Sequence, residues 1–123
     1  MAFDWREYLN LGRFLQDGIT RFSPESASRC TISRAYYAAF CHARNYARDR
    51  ANFIPTNTPE DHTLVRDHFA VSRNQVSLSL DLLRQWRNKC DYADVIRAEY
   101  FPIWVPESIE YAQEIIEELT TTL

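Results

Sequence analysis

The residues of this chain with the most chemical potential stand together at Arg87-Asn88-Lys89-Cys90-Asp91-Tyr92. Arginine presents a planar, permanently charged fork of donors that matches the oxygens of a phosphate group. Asn88 can donate and accept, and Tyr92 carries a phenol that hydrogen-bonds or stacks on a base. On a helix, Arg87 lies one turn after Leu83 and one turn before Asp91. A face that buries leucines therefore continues into a cation and an anion. An exposed pair of this kind contributes only about 0.3–0.5 kcal/mol. A pair that extends a buried stripe needs a further reason, and contact with a ligand supplies one. Arg87 and Tyr92 are the catalytic candidates, and Asn88 and Asp91 are candidates for substrate binding.

A second constellation is Ser33-Arg34-Ala35-Tyr36-Tyr37-Ala38-Ala39-Phe40. Ser33 and Tyr37 are four residues apart and share a helix face, which makes them further candidates for substrate binding. Tyr36 falls on the apolar stripe instead and reads as a core tyrosine with a satisfied hydroxyl.

Histidine is the usual general base. His42 sits mid-helix near alanines, a structural or surface position. His62 and His68 are six residues apart, unlike the spacing of a helical zinc pair. There is no carboxylate–histidine cluster, no Walker loop, no G-x-G-x-x-G and no G-x-S-x-G. Neither a metal nor a cofactor is expected.

Five helical segments must position these residues. The first is expected over about 4–21, capped by Asp4, with Tyr8, Leu11, Leu15, Ile19 and Phe22 at helical spacing. Gly12 and Gly18 weaken it, and a helical glycine that costs about 1 kcal/mol often marks close packing. The second starts at Ser23-Pro24 and runs to about residue 52, with Ile32, Ala35, Tyr36, Ala39, Phe40, Ala43 and Ala47 as its stripe. Its alanines let neighbours come close. After a loop over 53–59, Thr58 caps a short third helix carrying Leu64, Val65, His68 and Phe69. The fourth begins near Ser72 or Arg73 and buries Val76, Leu80 and Leu83, broadened by Leu82 and Trp86. Residues 93–105 read as irregular, and the last helix starts near Pro106 or Glu107, with Ile109, Ala112, Ile116 and Leu119 inward.

Two glycines in 123 residues favour long helices with few turns, so the fold class is all-α in one domain spanning 1–123. Apolar residues at 46% and aromatics at 14% exclude disorder. A net charge of −3 argues against nucleic-acid binding by bulk charge. The charge is uneven, however. Between residues 24 and 52, Arg29, Arg34, Arg44, Arg48 and Arg50 meet only Glu25 and Asp49, whereas five acids and no base follow from Glu107. This asymmetry fits a locally positive site or an acidic helix facing a basic partner, and equally two solvated faces. No secretory or membrane-spanning run is apparent, and Cys30, Cys41 and Cys90 show no C-x-x-C spacing. A cytoplasmic protein with buried thiols and no membrane association is expected.

Tyr36-Tyr37-Ala38-Ala39-Phe40 on a long second helix, with Arg87-Asn88 and Asp91-Tyr92 ending the fourth, resembles the HEPN superfamily. Trp5-Arg6-Glu7-Tyr8-Leu9, and His62-Thr63-Leu64-Val65 with Phe69, are similar to its tyrosine-rich bacterial branch. The resemblance covers nearly the whole chain, and its specificity lies in the order and spacing of the motifs. It implies an up-and-down bundle of four to five helices, commonly a homodimer, beside a minimal nucleotidyltransferase in a toxin–antitoxin pair. It also implies binding of RNA or nucleotide. Many members are metal-independent ribonucleases, in which an arginine steadies the phosphate and a histidine four to six residues later moves protons.

This chain departs from that pattern: five residues after Arg87 stands Tyr92, and no histidine follows His68. With an ordinary pKa of about 10, tyrosine is a poor base at neutral pH. Arg87 carries over as a phosphate contact and the general base does not, although His62 could serve from this chain or a dimer mate. The expected function is a nucleotide- or RNA-binding HEPN protein, as toxin or substrate-binding partner of a nucleotidyltransferase. The alternatives are an active metal-independent ribonuclease and a non-catalytic helical adaptor.

Overall fold

Ser23 and Pro24 start the longest helix of the molecule. The Ser23 hydroxyl accepts from the Ser26 N–H at 3.1 Å, and Pro24 occupies the first turn, where no N–H partner is needed. This helix, α2 (Pro24–Arg50), follows α1 (Arg6–Gln16) and precedes α3 (Asp61–Ser72), α4 (Asn74–Tyr92) and α5 (Phe101–Glu118). A 3-10 turn at Ala98–Tyr100 leads into α5. The computed structural model describes residues 3–17 and 23–120, and no strand occurs among them. The fold is an all-α helical bundle. In it α1, α2, α4 and α5 alternate up and down: Arg34 meets Tyr8, Arg29 meets Ala93, and Trp86 meets Trp104. The shorter α3 runs in the same direction as α2, with His62 beside Tyr36 and Phe69 beside Tyr46.

That parallel course requires a return segment. Asn52 and Asn57 both adopt φ of 60°, a left-handed conformation that asparagine tolerates. The Phe53 N–H closes on the Ala47 carbonyl at 3.1 Å. Asp61 locks the other end: its carboxylate accepts from the Thr56 N–H at 2.9 Å, the Thr56 hydroxyl at 2.7 Å and the Asn57 N–H at 3.0 Å. Asp61 is buried on account of this role. Thr58 does support the start of α3, its hydroxyl accepting from the Glu60 N–H at 3.3 Å.

α2 packs against all four other helices. Ala35, Ala38, Ala39, Ala43 and Ala47 are fully buried along it, together with Ile32 and Tyr36. Small side chains let backbones approach, and Gly12 of α1 uses the same device. A Cβ at Gly12 would lie 3.4 Å from the Thr31 carbonyl oxygen, and the Thr31 hydroxyl donates to the Gly12 carbonyl at 3.3 Å.

Several expectations are corrected. α5 begins at Phe101, not near Pro106. Pro102 lies in its first turn, and Pro106 one turn later removes only the bond to the Pro102 carbonyl. Burial of Phe101, Trp104 and Val105 outweighs that loss. The inward face of α1 centres on Leu9 and Gly12, while Leu11 is exposed. Asp4 holds the start of α1, accepting from the Arg6 N–H at 3.0 Å, although Trp5 is the capping position. The expected stretch of that helix with Gly18, Ile19 and Phe22 lies outside the described residues. Leu64 faces solvent, and Cys30 is exposed, whereas Cys41 and Cys90 are buried.

The close contacts of α2 leave no room for growth. Ala43→Leu is expected to lower stability by about 1–3 kcal/mol through overpacking, whereas Ala70→Leu on the exposed face of α3 stays within about 0.5 kcal/mol. Urea midpoints of the two variants check this; equal midpoints would refute the packing of α2.

Candidate functional site

The end of α4 carries the arginine constellation, so its placement decides the site. Two contacts fix it. On one side Trp86 stacks on Trp104 of α5, centroids 5.6 Å apart and planes 15° apart, and Trp104 stacks in turn on Tyr100 at 5.1 Å. On the other side Arg29 of α2 donates to the carbonyls of Cys90 at 3.0 Å and Ala93 at 2.6 Å, while its Nε pairs with Glu25 at 2.9 Å. The last carbonyls of a helix lack partners and carry partial negative charge, so a cation placed there satisfies both needs.

Held this way, α4 turns Arg87 towards α2. The side chain of Arg87 is only 12% exposed. Its Nε donates to Asp91 at 2.8 Å and one Nη donates to Asn88 at 3.0 Å. The other Nη donates to the Tyr37 hydroxyl. The guanidinium also lies 4.8 Å from the Tyr37 ring centroid and 5.5 Å from that of Tyr92. Asp91 accepts in addition from the Ser33 hydroxyl at 3.3 Å. Ser33, Tyr37, Arg87, Asn88 and Asp91 thus form one network. Tyr92 stands at its rim, 73% exposed, with the Arg87 guanidinium over one side of its ring and the rest open to solvent. A guanidinium has five N–H donors, so two remain after these three bonds. Ser33 is itself buried and orients Asp91. A cleft of about 430 Å³ opens beside the network, lined by Ser33, Arg34, Tyr37 and Asp91.

A second group adjoins the first, and its arginines, Arg66 and Arg84, were not among the residues singled out from the sequence. The His62 ring stacks on Phe40 at 4.3 Å, lies over Tyr36 at 5.6 Å, and is edge-on to Tyr37 at 6.3 Å. Its Nδ1 hydrogen-bonds the Tyr36 hydroxyl, which gives that buried tyrosine its partner. Burial, and then the charges of Arg84, Arg87 and Arg66, bring the His62 pKa down to about 4. Burial raises the Tyr36 and Tyr37 phenols above their ordinary value, against the pull of the same arginines at Tyr36 and of Arg87 alone at Tyr37. Arg66 of α3 pairs with Asp81 of α4, which also accepts from Gln85 at 3.0 Å. Arg84 makes no hydrogen bond or ion pair among the described residues, and its Nε is buried without an acceptor. A buried donor left unsatisfied costs about 1–3 kcal/mol, more when charged. The sequence carried the signal in its spacing: Arg84 is three residues before Arg87 and three after Asp81, and Arg66 is four after His62.

The remaining arginines of α2 are largely engaged. Arg34 lies over Tyr8 at 5.2 Å, Arg44 over Trp5 at 5.9 Å and Arg50 over Tyr46 at 5.6 Å. The basic stretch thus packs on aromatic rings instead of forming a free basic surface. The acidic α5 uses Glu118 to pair with Arg73 at 3.2 Å. His42, half-buried, meets the Thr120 hydroxyl at 3.1 Å, in keeping with a structural role. Among the described residues no group of three His, Cys, Asp or Glu side chains is placed to hold a metal ion. None of their helices is long and apolar enough to cross a membrane. No family model, curated protein or solved structure matches the chain.

Two consequences can be measured. Arg29→Met keeps the stem and loses the donors to α4, so stability falls by about 1.5–3 kcal/mol and amide exchange in the last turn of α4 speeds up. Unchanged exchange there would remove Arg29 as the cap. For His62, the folded pKa of about 4 lies below the unfolded value of about 6.5. Between these values the unfolded chain binds more protons, so stability is lost as pH falls from 6.5 towards 4. After allowance for solvent screening the loss is on the order of 1–2 kcal/mol. His62→Gln should flatten the pH dependence of the urea midpoint by that amount, and identical slopes would contradict the buried neutral ring.

Proposed function

We propose that this chain is a HEPN-type protein that binds RNA or a nucleotide at the joined faces of α2 and α4. In this reading it works in the cytoplasm as a homodimer and partners a nucleotidyltransferase, as toxin or substrate-binding subunit. The observation that carries the reading is Arg87, fixed between the Tyr37 and Tyr92 rings with two N–H groups still to give. Its donors suit a phosphate, and the exposed face of Tyr92 suits a stacked base. Asp91, Asn88 and Tyr37 preset the guanidinium, so little side-chain entropy remains to be lost on binding. The overall negative charge fits a partner engaged at one spot and not along a broad basic face.

One feature supports ribonuclease activity as a second reading: His62 lies in the same cluster as Arg87, Tyr36 and Tyr37. Tyr36, fully buried and with a raised pKa, is unsuited to donate to solvent-borne substrate, which leaves His62 as the proton carrier of that reading.

Fluorescence anisotropy with a short single-stranded RNA tests the proposal. Arg87→Ala should weaken binding at least tenfold, or about 1.4 kcal/mol, and Tyr92→Ala should weaken it by about 1–3 kcal/mol through lost stacking. Equal affinity of wild type and Arg87→Ala, or no binding by either, would sink the reading. Cleavage that survives chelator and disappears in both Arg87→Ala and His62→Gln would establish the nuclease.

A further inference from the structure

We propose that Arg84, together with Arg66, Arg87 and His62, forms a seat for the phosphate group of a nucleotide or of an RNA backbone. The seat shares Arg87 with the site described above and therefore rests in part on that reading. Its centre is Arg84, which nothing assigned from sequence.

On α4, Arg84 lies one turn from both Asp81 and Arg87, and Arg66 of α3 reaches Asp81 from the facing helix, so the three arginines share one α3–α4 face and all act on the charge of His62. Two of them have carboxylate partners, Asp81 for Arg66 and Asp91 for Arg87. The third has none among the described residues, and its Nε is buried without an acceptor there. Arg66 repeats the pattern: its Nε is likewise buried and unsatisfied, although its Nη groups reach Asp81 and Thr63. Asp61 is the other carboxylate near His62, but both of its oxygens accept hydrogen bonds from residues 56 and 57. The group thus holds donors in surplus. A tetrahedral oxyanion supplies acceptors and the missing negative charge together, and a planar guanidinium fork is the side chain that fits it best. Neutral acceptors such as a peptide carbonyl would satisfy the donors and leave the charge uncompensated.

The neighbours of His62 show how such an anion would be felt. From α4 it faces Arg84 and Arg87, from α3 Arg66 and Asp61, and from α2 the Tyr36 and Tyr37 phenols with the Phe40 ring. Burial, and then three like charges against one opposite charge, keep the ring neutral in the free protein. A bound anion among the same arginines offsets that field and favours a proton on His62. Binding is then linked to proton uptake and grows tighter as pH falls from 7 towards 5.5. Because linkage is reciprocal, the occupied seat makes His62 a stronger base than it is in the empty protein.

Sulfate is the first probe, since it stays a dianion over this range. The His62 side chain is followed by nitrogen-resolved NMR through a pH titration, at constant ionic strength held with sodium chloride. Saturating sulfate should raise the His62 pKa by one unit or more, Arg84→Gln should abolish the rise, and Arg84→Lys should keep part of it. A His62 pKa unmoved by sulfate, or a rise that Arg84→Gln leaves intact, overturns the seat. Two further arms separate the sources of the phosphate: a 5′-mononucleotide carries a terminal phosphate, and a dinucleoside monophosphate carries only a diester. A rise with the first alone assigns the seat to a nucleotide; a rise with the second assigns it to the RNA backbone. If the seat fails while RNA binding still depends on Arg87, only this inference falls. If sulfate is held through Arg84 but Arg87→Ala leaves RNA binding unchanged, the broader reading falls instead.

Discussion

α2 is enclosed on nearly every side, because α1, α3, α4 and α5 all pack on it. A helix in that position cannot keep a wide polar face, and it cannot carry large side chains all round without forcing its neighbours apart. The run of buried alanines at 35, 38, 39, 43 and 47 answers both demands. Aromatic side chains are then confined to a few gaps between helices. Tyr36, Tyr37 and Phe40 fill the gap towards α3 and α4, and the candidate site is what closes that gap. The location of the site follows from the packing of one helix.

Electrostatics then sets what the gap can hold. The chain is acidic overall, yet the charges of three arginines act on His62. Elsewhere charges are spent locally: Arg48 pairs with Asp49, Arg6 with Asp4, and Arg34, Arg44 and Arg50 lie over aromatic rings. These contacts brace α1 and the exposed end of α2, and exposed pairs of that kind contribute little to stability. The positive character that the sequence shows between residues 24 and 52 is therefore mostly used up in packing. The positive character that remains comes from α3 and α4, which the charge pattern along the chain did not single out.

The sequence made the helices legible because glycine is scarce and the apolar spacing of α2 and α4 is regular. Ser23-Pro24 marked a boundary that the structure keeps. Pro106 misled because a proline one turn inside a helix removes a single bond, and the burial of Phe101 and Trp104 is worth more. The α4 end of the site was legible from Leu83, Arg87 and Asp91 falling on one face. The contribution of α3 was not, since it depends on α3 running alongside α2. That course is set by two left-handed asparagines and by Asp61 in the return segment, a tertiary arrangement with no periodic signature.

Through most of the described bundle, local preference and global packing agree: caps hold turns, apolar faces point inward, and Tyr36 finds a partner. Disagreement gathers at one place. Of the three buried side-chain polar atoms without a partner among the described residues, two are the Nε atoms of Arg66 and Arg84. Both act on a histidine kept neutral down to about pH 4, and both act on Tyr36. Uncompensated charge and unmet donors oppose folding, and a core built from apolar residues at the same positions would avoid them. Natural sequences break such rules chiefly where binding or chemistry repays the loss. The third atom, the Ser108 hydroxyl, is neutral and isolated in α5 and carries no comparable concentration of strain. The clustering of charge, and not the mere presence of an unsatisfied group, separates the α3–α4 face from the rest of the core.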